Sequence, residues 1–158
     1  MKRKYGLVIY FLLVANLISF LLMCAQQRSI ISWKKQAKKK NGQYMVMNQW
    51  LKVKQESKNL ALYFAKNQYK RIAICGMNHI GKRLLNELRG SDIEVIYGID
   101  RNAENISADI RIVTLEADIP NVDAVVVTLA EGFYDVYDAL VRKVQCPILS
   151  IEDILNEI

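Results

Sequence analysis

The chain has 158 residues and a formal net charge of +6, a length that allows one modest domain with appendages. The charge is unevenly divided: residues 1–71 hold 15 Lys and Arg against one acid, whereas residues 72–158 hold 7 bases and 15 acids. Because the bases precede the predicted domain and the domain itself is acidic, we expect no nucleic-acid partner. Three cysteines without a CxxC pair or metal spacing predict neither a disulfide framework nor a metal site.

An uncharged, mostly apolar stretch at residues 5–25 predicts a transmembrane helix. At ~1.5 Å per residue it would be ~31 Å long, which matches a hydrocarbon core of ~30 Å. A cleaved signal peptide is the alternative, but its apolar core would be shorter and end in small residues. Met23 stands where a small residue would be needed, and the same residue argues against lipid attachment at Cys24.

Basic residues flank this stretch on both sides, with Lys2, Arg3 and Lys4 before it and a larger cluster after it. That cluster lies in a stalk, residues 26–43, and includes the run "WKKQAKKK", Trp33–Lys40, which we call the basic segment. Because cytoplasmic flanks carry the excess of Lys and Arg, we expect a single-pass protein of the inner (plasma) membrane with its C-terminal domain in the cytoplasm. The basic segment also predicts contact with anionic membrane lipids.

A connecting helix is predicted over residues 44–68, which contain no Gly or Pro. Its apolar residues recur at steps of three and four and form one stripe, with Ser57 in the single polar slot. The stripe consists of Val46, Trp50, Val53, Leu60 and Phe64. Packing on its own domain and pairing with a second copy as a homodimer both fit this spacing.

Residues 71–158 alternate between short β-rich runs and helical stretches. The predicted strands are "RIAIC", "DIEVIYGI", "DIRIVT", "DAVVVTLA" and "CPILSI", and the helices are "IGKRLLNELRG" and "FYDVYDALVRKV". Such alternation implies parallel pairing. The predicted fold class is therefore α/β, a small doubly wound parallel sheet of Rossmann-like type, preceded by the transmembrane helix and the connecting helix.

A glycine turn follows the first strand, with Gly76, Asn78 and Gly81 in the three positions of a G-x-G-x-x-G motif. In this motif the first Gly makes a tight turn, the second admits a diphosphate, and the third lets helix and strand pack closely. The amides of residues 77–80 would face the anion. Asp100 ends the next strand, 19 residues beyond Gly81, where a carboxylate accepts from ribose hydroxyls.

Several neighbours complete the predicted site. Asn78 occupies space where phosphate comes closest, although its amide could donate to a phosphate, and Arg101 leaves the choice between NAD and NADP open. His79 is either a ligand contact or a surface residue. Thr128 and Glu131 lie where open α/β sheets place ligand contacts, and the alternative for them is a strand end and a helix cap. The predicted cofactor-binding residues are Gly76, Met77, Asn78, His79, Ile80, Gly81, Asp100, Arg101 and Thr128.

On the residues from "IAICGMNHIG" to "GIDRNA", with "DAVVVTLA" and "CPILSIEDIL", the chain resembles small NAD(P)-binding, Rossmann-like domains of bacterial surface-polysaccharide biosynthesis proteins. These domains are described as nucleoside-diphosphate-sugar epimerase-like. The resemblance implies NAD, NADP or a nucleotide sugar as ligand and polysaccharide-biosynthesis proteins as partners.

Catalysis of the epimerase type needs a Tyr-x-x-x-Lys pair, in which the Lys lowers the pKa of the Tyr. This chain has none, and no catalytic residue is predicted. Three hypotheses remain: a membrane-anchored nucleotide-binding module that is non-catalytic alone, a subunit of a nucleotide-sugar-modifying enzyme completed by a partner, and a structural membrane adaptor with a vestigial site.

Overall fold

A computed structural model describes the backbone of residues 2–129 and 132–158 and the side chains of residues 10, 13–129 and 132–158. The chain forms two compact units, residues 1–40 and residues 41–158. The first helix, α1, is Lys2–Gln55 and contributes to both units.

The first unit is the N-terminal part of α1. From Leu17 to Met23 its large apolar side chains are more than half exposed, as at Leu17, Phe20 and Leu22. Among the residues that the structure describes, α1 is the one helix long and apolar enough to cross a membrane, by length and composition. A helix that leaves such a surface uncovered is typical of a membrane span.

The second unit is an α/β domain. After α1 come α2 (Leu60–Lys66), β1 (Arg71–Cys75), α3 (His79–Leu88) and β2 (Glu94–Ile99). A 3-10 turn (Ala103–Asn105), β3 (Arg111–Val113), β4 (Ala124–Val127), α4 (Phe133–Leu140), β5 (Ile148–Ser150) and α5 (Ile151–Glu157) follow. The five strands form one parallel sheet in the order β3-β2-β1-β4-β5. The predicted α/β class and parallel sheet are confirmed.

Different elements pack on the two faces of the sheet. Ile72, Ile74 and Val126 face a core built with the end of α1 and with α2, α3 and α5. Ala73, Cys75 and their neighbours face the other side, which α4 covers together with the loop before β4. All four residues of β4 are buried, as predicted for an interior parallel strand that is covered on both faces.

The segment predicted as one connecting helix is divided in the structure. α1 ends at Gln55, Ser57 takes a left-handed conformation (φ 57°), and α2 begins after its N-cap Asn59. Ser57 N–H donates to Lys54 O and Lys58 N–H to Val53 O, both at 3.0 Å, which is a Schellman motif. A Schellman motif usually has Gly at the left-handed position. Because this position holds Ser, the sequence gives no indication that a helix ends here.

The apolar stripe of this segment nevertheless packs as one surface. Its five residues are 0–5% exposed and belong to the core beneath β1 and β4. Of the two alternatives that the spacing allowed, packing on its own domain is the one observed.

Candidate functional site

The glycine turn joins the carboxyl end of β1 to the start of α3. In the sheet, β2 and β3 lie on one side of β1, whereas β4 and β5 lie on its other side. The strand order therefore reverses between β1 and β4, and the carboxyl ends of these two strands form the topological switch point, where open α/β sheets bind ligands. Gly76 has φ +97°, a backbone conformation that residues other than glycine rarely adopt. A Cβ on Gly81 would overlap the carbonyl oxygen of Gly76, so this glycine permits the close approach of α3 to β1.

Asn78, in the second glycine position, fills the turn. Its Oδ1 accepts from the amides of Ile80 at 2.7 Å and Gly81 at 3.2 Å, and caps α3. Its Nδ2 donates to the carbonyl oxygen of Thr128 at 3.1 Å. The side chain therefore occupies two of the amides that a diphosphate would need and ties the turn to the end of β4.

Asp100 lies against the same turn. Its Oδ2 accepts from the amide of Met77 at 2.8 Å, and its Oδ1 accepts from the amide of Asn102 at 3.0 Å. A carboxylate offers about four lone-pair positions, so acceptor capacity remains after these two bonds. The sequence placed Asp100 near the turn through the motif, but the direct bond to Met77 depends on the tertiary structure.

Thr128 faces the turn from β4 and is fully buried. Its hydroxyl has one proton to donate and lies within hydrogen-bond reach of the carbonyl oxygens of both Cys75 and Gly76, so its side chain holds the backbone of the turn. Glu131 lies outside the described residues.

Two of the predicted site residues, His79 and Arg101, lie at the exposed rim of the turn. His79 begins α3 and Arg101 follows Asp100; both are exposed. Within the part of the chain that the structure describes, neither side chain forms a hydrogen bond or ion pair, and the amides of Asn78 and His79 have no hydrogen-bond acceptor. These two amides are the donors that the turn leaves available.

The side chain of Met77 is buried, and a Cβ on Gly98 of β2 would come within 2.8 Å of its Cγ and Sδ. Gly98 therefore makes room for Met77 beneath the turn. Sequence analysis did not identify this role, because a glycine inside a strand does not indicate which distant side chain lies over it.

Cys75, the cysteine nearest to the turn, is buried. Burial, and to a lesser extent the charge of Asp100, raises the pKa of Cys75 to about 12. Within the described residues no cluster of three or more His, Cys, Asp or Glu side chains is placed to hold a metal ion. The groups that the turn leaves available are two hydrogen-bond donors at the start of α3 and an acceptor on Asp100.

A cleft of about 410 Å³ lies at the opposite edge of the sheet. Residues at the end of α3 and around the starts of β2 and β3 line it, among them Leu88, Arg89, Glu94 and Asp109. Arg89 and Asp109, which form an exposed ion pair, stand at this cleft. Because open α/β sheets bind ligands at the carboxyl edge, the glycine turn rather than this cleft is the candidate site.

These features define a Rossmann-like α/β domain with a glycine turn at its switch point, in a chain that begins with a candidate membrane-spanning helix. Comparisons with protein-family models, with curated proteins and with solved structures returned no match. The resemblance to polysaccharide-biosynthesis proteins therefore depends on the motifs in the sequence alone.

Proposed function

We propose that this chain is a membrane-anchored nucleotide-binding module, with NAD, NADP or a nucleotide sugar as its ligand. One observation carries this proposal: the Asp100 carboxylate lies 2.8 Å from the Met77 amide, inside a glycine turn at the switch point. This pairing supports the proposal because it holds a carboxylate, the group that accepts from ribose hydroxyls in dinucleotide sites, beside the start of α3, where the helix dipole favours a phosphate.

The ligand would use the groups that the turn leaves available. Asp100 would accept from the ribose hydroxyls, and the amides of Asn78 and His79 would donate to phosphate oxygens. The side chain of Asn78 would either rotate away from α3 or turn its Nδ2 towards the phosphate. A carboxylate that accepts from the 2′-hydroxyl favours NAD, whereas Arg101, exposed beside Asp100, would pair with the 2′-phosphate of NADP, so both dinucleotides are candidate ligands.

The proposal also includes a location at the membrane and partners there. The exposed apolar part of α1 supports a single-pass anchor, and the basic segment supports an inner-membrane orientation with the domain in the cytoplasm and with anionic lipids as partners. A role beside polysaccharide-biosynthesis proteins depends on the resemblance. Because the chain has no Tyr-x-x-x-Lys pair, the module would be non-catalytic alone.

A specific observation favours a second candidate, a structural membrane adaptor with a vestigial site. The Asn78 side chain already satisfies the amides of Ile80 and Gly81, which would otherwise bind a diphosphate. In this candidate the turn has become a helix cap, and no nucleotide binds.

Calorimetric titration of the full chain in detergent micelles with NAD, NADP, a UDP-sugar and CoA separates the two candidates. We expect one nucleotide to bind the wild-type chain. Asp100→Ala should weaken that binding about tenfold, the effect of losing ribose hydrogen bonds worth about 1.4 kcal/mol. Asn78→Gly should strengthen it, because it frees two amides and admits the diphosphate.

Asp92→Asn is the matched control, since Asp92 is exposed at the opposite edge of the sheet, and we expect it to leave binding unchanged. If neither the wild-type chain nor Asn78→Gly binds any of the four ligands, the nucleotide-binding proposal is wrong and the adaptor is favoured. Turnover of the UDP-sugar would instead indicate an enzyme subunit.

A further inference from the structure

Side-chain oxygens already occupy most of the backbone amides of the glycine turn, residues 77–81. The Asp100 carboxylate accepts from the first of these five amides at 2.8 Å. The side-chain oxygen of Asn78 accepts from the last two, at 2.7 Å and 3.2 Å. Within the described part of the chain, the two amides between them have no acceptor. Because a diphosphate binds a glycine turn through such amides, this turn has fewer than half of them to offer.

The side chain of Asn78 is held at both ends of its amide group. Oδ1 accepts from the two amides of α3, and Nδ2 donates to the carbonyl oxygen of Thr128 at 3.1 Å. The backbone of Asn78 is extended (φ −74°, ψ −167°), which is the usual conformation of an N-cap residue. To admit a diphosphate, this side chain has to give up three hydrogen bonds, of which the phosphate replaces only the two to α3.

The carbonyl oxygen of Thr128 also disfavours a phosphate in the turn. It lies 3.1 Å from Nδ2 of Asn78, so it borders the space that the Asn78 side chain fills. If that side chain moved out, a phosphate in its place would face this carbonyl dipole and the nearby Asp100 carboxylate. Thr128 is fully buried, and repulsion between negative groups is stronger where water is excluded. The turn therefore favours a neutral cap over an anion.

The ribose contact of Asp100 does not require the turn to open. Its Oδ2 accepts from the amide of Met77 and its Oδ1 from the amide of Asn102, which leaves part of its acceptor capacity of about four lone pairs. Asp100 is half-buried at the end of β2, so ribose hydroxyls would reach it while Asn78 stays in place. Recognition of the ribose is thus separate from recognition of the diphosphate in this chain.

We propose that Asn78 takes the place of the diphosphate in this turn, so that the module recognises its ligand by the nucleoside rather than by the phosphates. This inference rests on the proposed function and narrows it, because Asn78 becomes the residue that determines specificity. The diphosphate of NAD or of a nucleotide sugar would remain at the rim, on the two amides without an acceptor. A nucleoside without phosphates should then bind nearly as well as the complete nucleotide.

Calorimetric titration of the full chain in detergent micelles tests this inference with two pairs of ligands, adenosine with NAD and uridine with UDP-glucose. In each pair the second ligand contains the diphosphate that the first lacks. The measured quantity is the ratio of the association constant of the second ligand to that of the first. This ratio cancels any effect of a variant on the nucleoside part. For the pair that binds the wild-type chain, we expect a ratio of about three or less.

Two substitutions of Asn78 should move this ratio in opposite directions. Asn78→Gly frees two amides and makes room for phosphate, so it should raise the ratio at least about tenfold. Asn78→Asp keeps an oxygen that caps α3 but places a negative charge where the phosphate comes closest, so it should lower the ratio about threefold. Gly and Asp are both accepted at N-cap positions, and circular dichroism of each variant establishes that the fold is kept.

Asn121→Gly and Asn121→Asp are the matched controls, since Asn121 is exposed in the loop before β4, at the opposite edge of the sheet. Both should keep the wild-type ratio. A wild-type ratio above about thirty, or a ratio that neither Asn78 variant changes, would overturn this inference while nucleotide binding stands. If neither the wild-type chain nor Asn78→Gly binds any of the four ligands, the proposed function itself is wrong, and this inference with it.

Discussion

Glu87 is the residue that joins α3 to both preceding helices. Its Oε2 accepts from the indole of Trp50 at 2.6 Å, and its Oε1 accepts from the amide of Leu60 at 3.2 Å. Oε1 also lies 2.6 Å from Nζ of Lys54, and the Glu87 side chain is 9% exposed. One carboxylate thus holds the end of α1 and the start of α2 against the helix that begins at the glycine turn.

Replacing Glu87 should destabilise the domain. Glu87→Ala leaves the Trp50 indole and the Leu60 amide without their acceptor, so we expect a loss of about 2–3 kcal/mol in the free energy of unfolding. Glu87→Gln keeps one oxygen acceptor and should cost about 1 kcal/mol. Thermal unfolding of the full chain in detergent, followed by circular dichroism, measures both losses.

Glu94→Gln is the control for this prediction, because Glu94 is exposed at the start of β2. It should change the stability by less than about 0.5 kcal/mol. If Glu87→Ala has as small an effect as the control, the three hydrogen-bond and ion-pair contacts do not hold the helices together.

The glycine turn shows what sequence could predict at the scale of single residues. The positive φ of Gly76 and the close packing of Gly81 agree with the roles that the motif assigns to them. Asn78 was the residue whose side-chain direction sequence left open, and the structure directs it onto the amides of α3. Whether an Asn side chain caps a helix depends on the backbone angles of that residue and on where the helix begins. The sequence does not give either of these.

At the scale of elements, α1 and α2 end in the same way. α1 ends with Ser57 at φ 57°, and α2 ends with Gln68 at φ 62°. In α2, Gln68 N–H donates to Ala65 O at 3.1 Å and Tyr69 N–H to Phe64 O at 2.9 Å, a second Schellman motif. Neither motif has the usual Gly, so both helix ends lacked the signal by which sequence analysis recognises them.

Ser57→Gly should stabilise the domain modestly. A left-handed conformation costs a non-glycine residue about 1–2 kcal/mol, and part of the gain is offset by the greater freedom of Gly in the unfolded chain. We expect a net gain of about 0.5 kcal/mol. Ser57→Val should lose about 1 kcal/mol, because a branched side chain is least tolerated at positive φ.

Ser57→Ala is the matched control and should leave stability nearly unchanged, since Ala has the same steric difficulty as Ser at this φ. The measurement is again thermal unfolding of the full chain. Stabilisation by Val, or destabilisation by Gly, would contradict the left-handed turn between α1 and α2.

At the scale of the whole molecule, charge distinguishes the two parts of the chain. The basic residues are concentrated before β1 and the acidic residues after it. This division agrees with the proposed arrangement, in which the basic part would lie at an anionic lipid surface and the acidic domain would remain in solution. In the proposed membrane-anchored chain, we expect orientation to depend on a few lysines.

Neutralising the basic segment should alter that orientation. With its five lysines changed to Gln, the three bases at residues 2–4 outnumber Arg28 on the other flank. Since the more basic flank stays in the cytoplasm, we expect a large fraction of chains to place the C-terminal domain on the opposite side. Protease accessibility in intact spheroplasts measures that fraction.

The control changes five lysines that lie well beyond the predicted span, namely Lys52, Lys58, Lys66, Lys70 and Lys82. Orientation depends on charges within about 20 residues of the span, so this variant should keep the wild-type arrangement. Equal accessibility of the domain in both variants would mean that the basic segment does not determine orientation.

Local patterns in the sequence determined the α/β class, the parallel sheet, the apolar N-terminal helix and the glycine positions of the turn, because each depends on residue order over short distances. The tertiary structure decided the break at Ser57, the cap formed by Asn78, the bond from Met77 to Asp100 and the contacts of Glu87. Each of these depends on which groups from distant parts of the chain meet, and such meetings are set by packing.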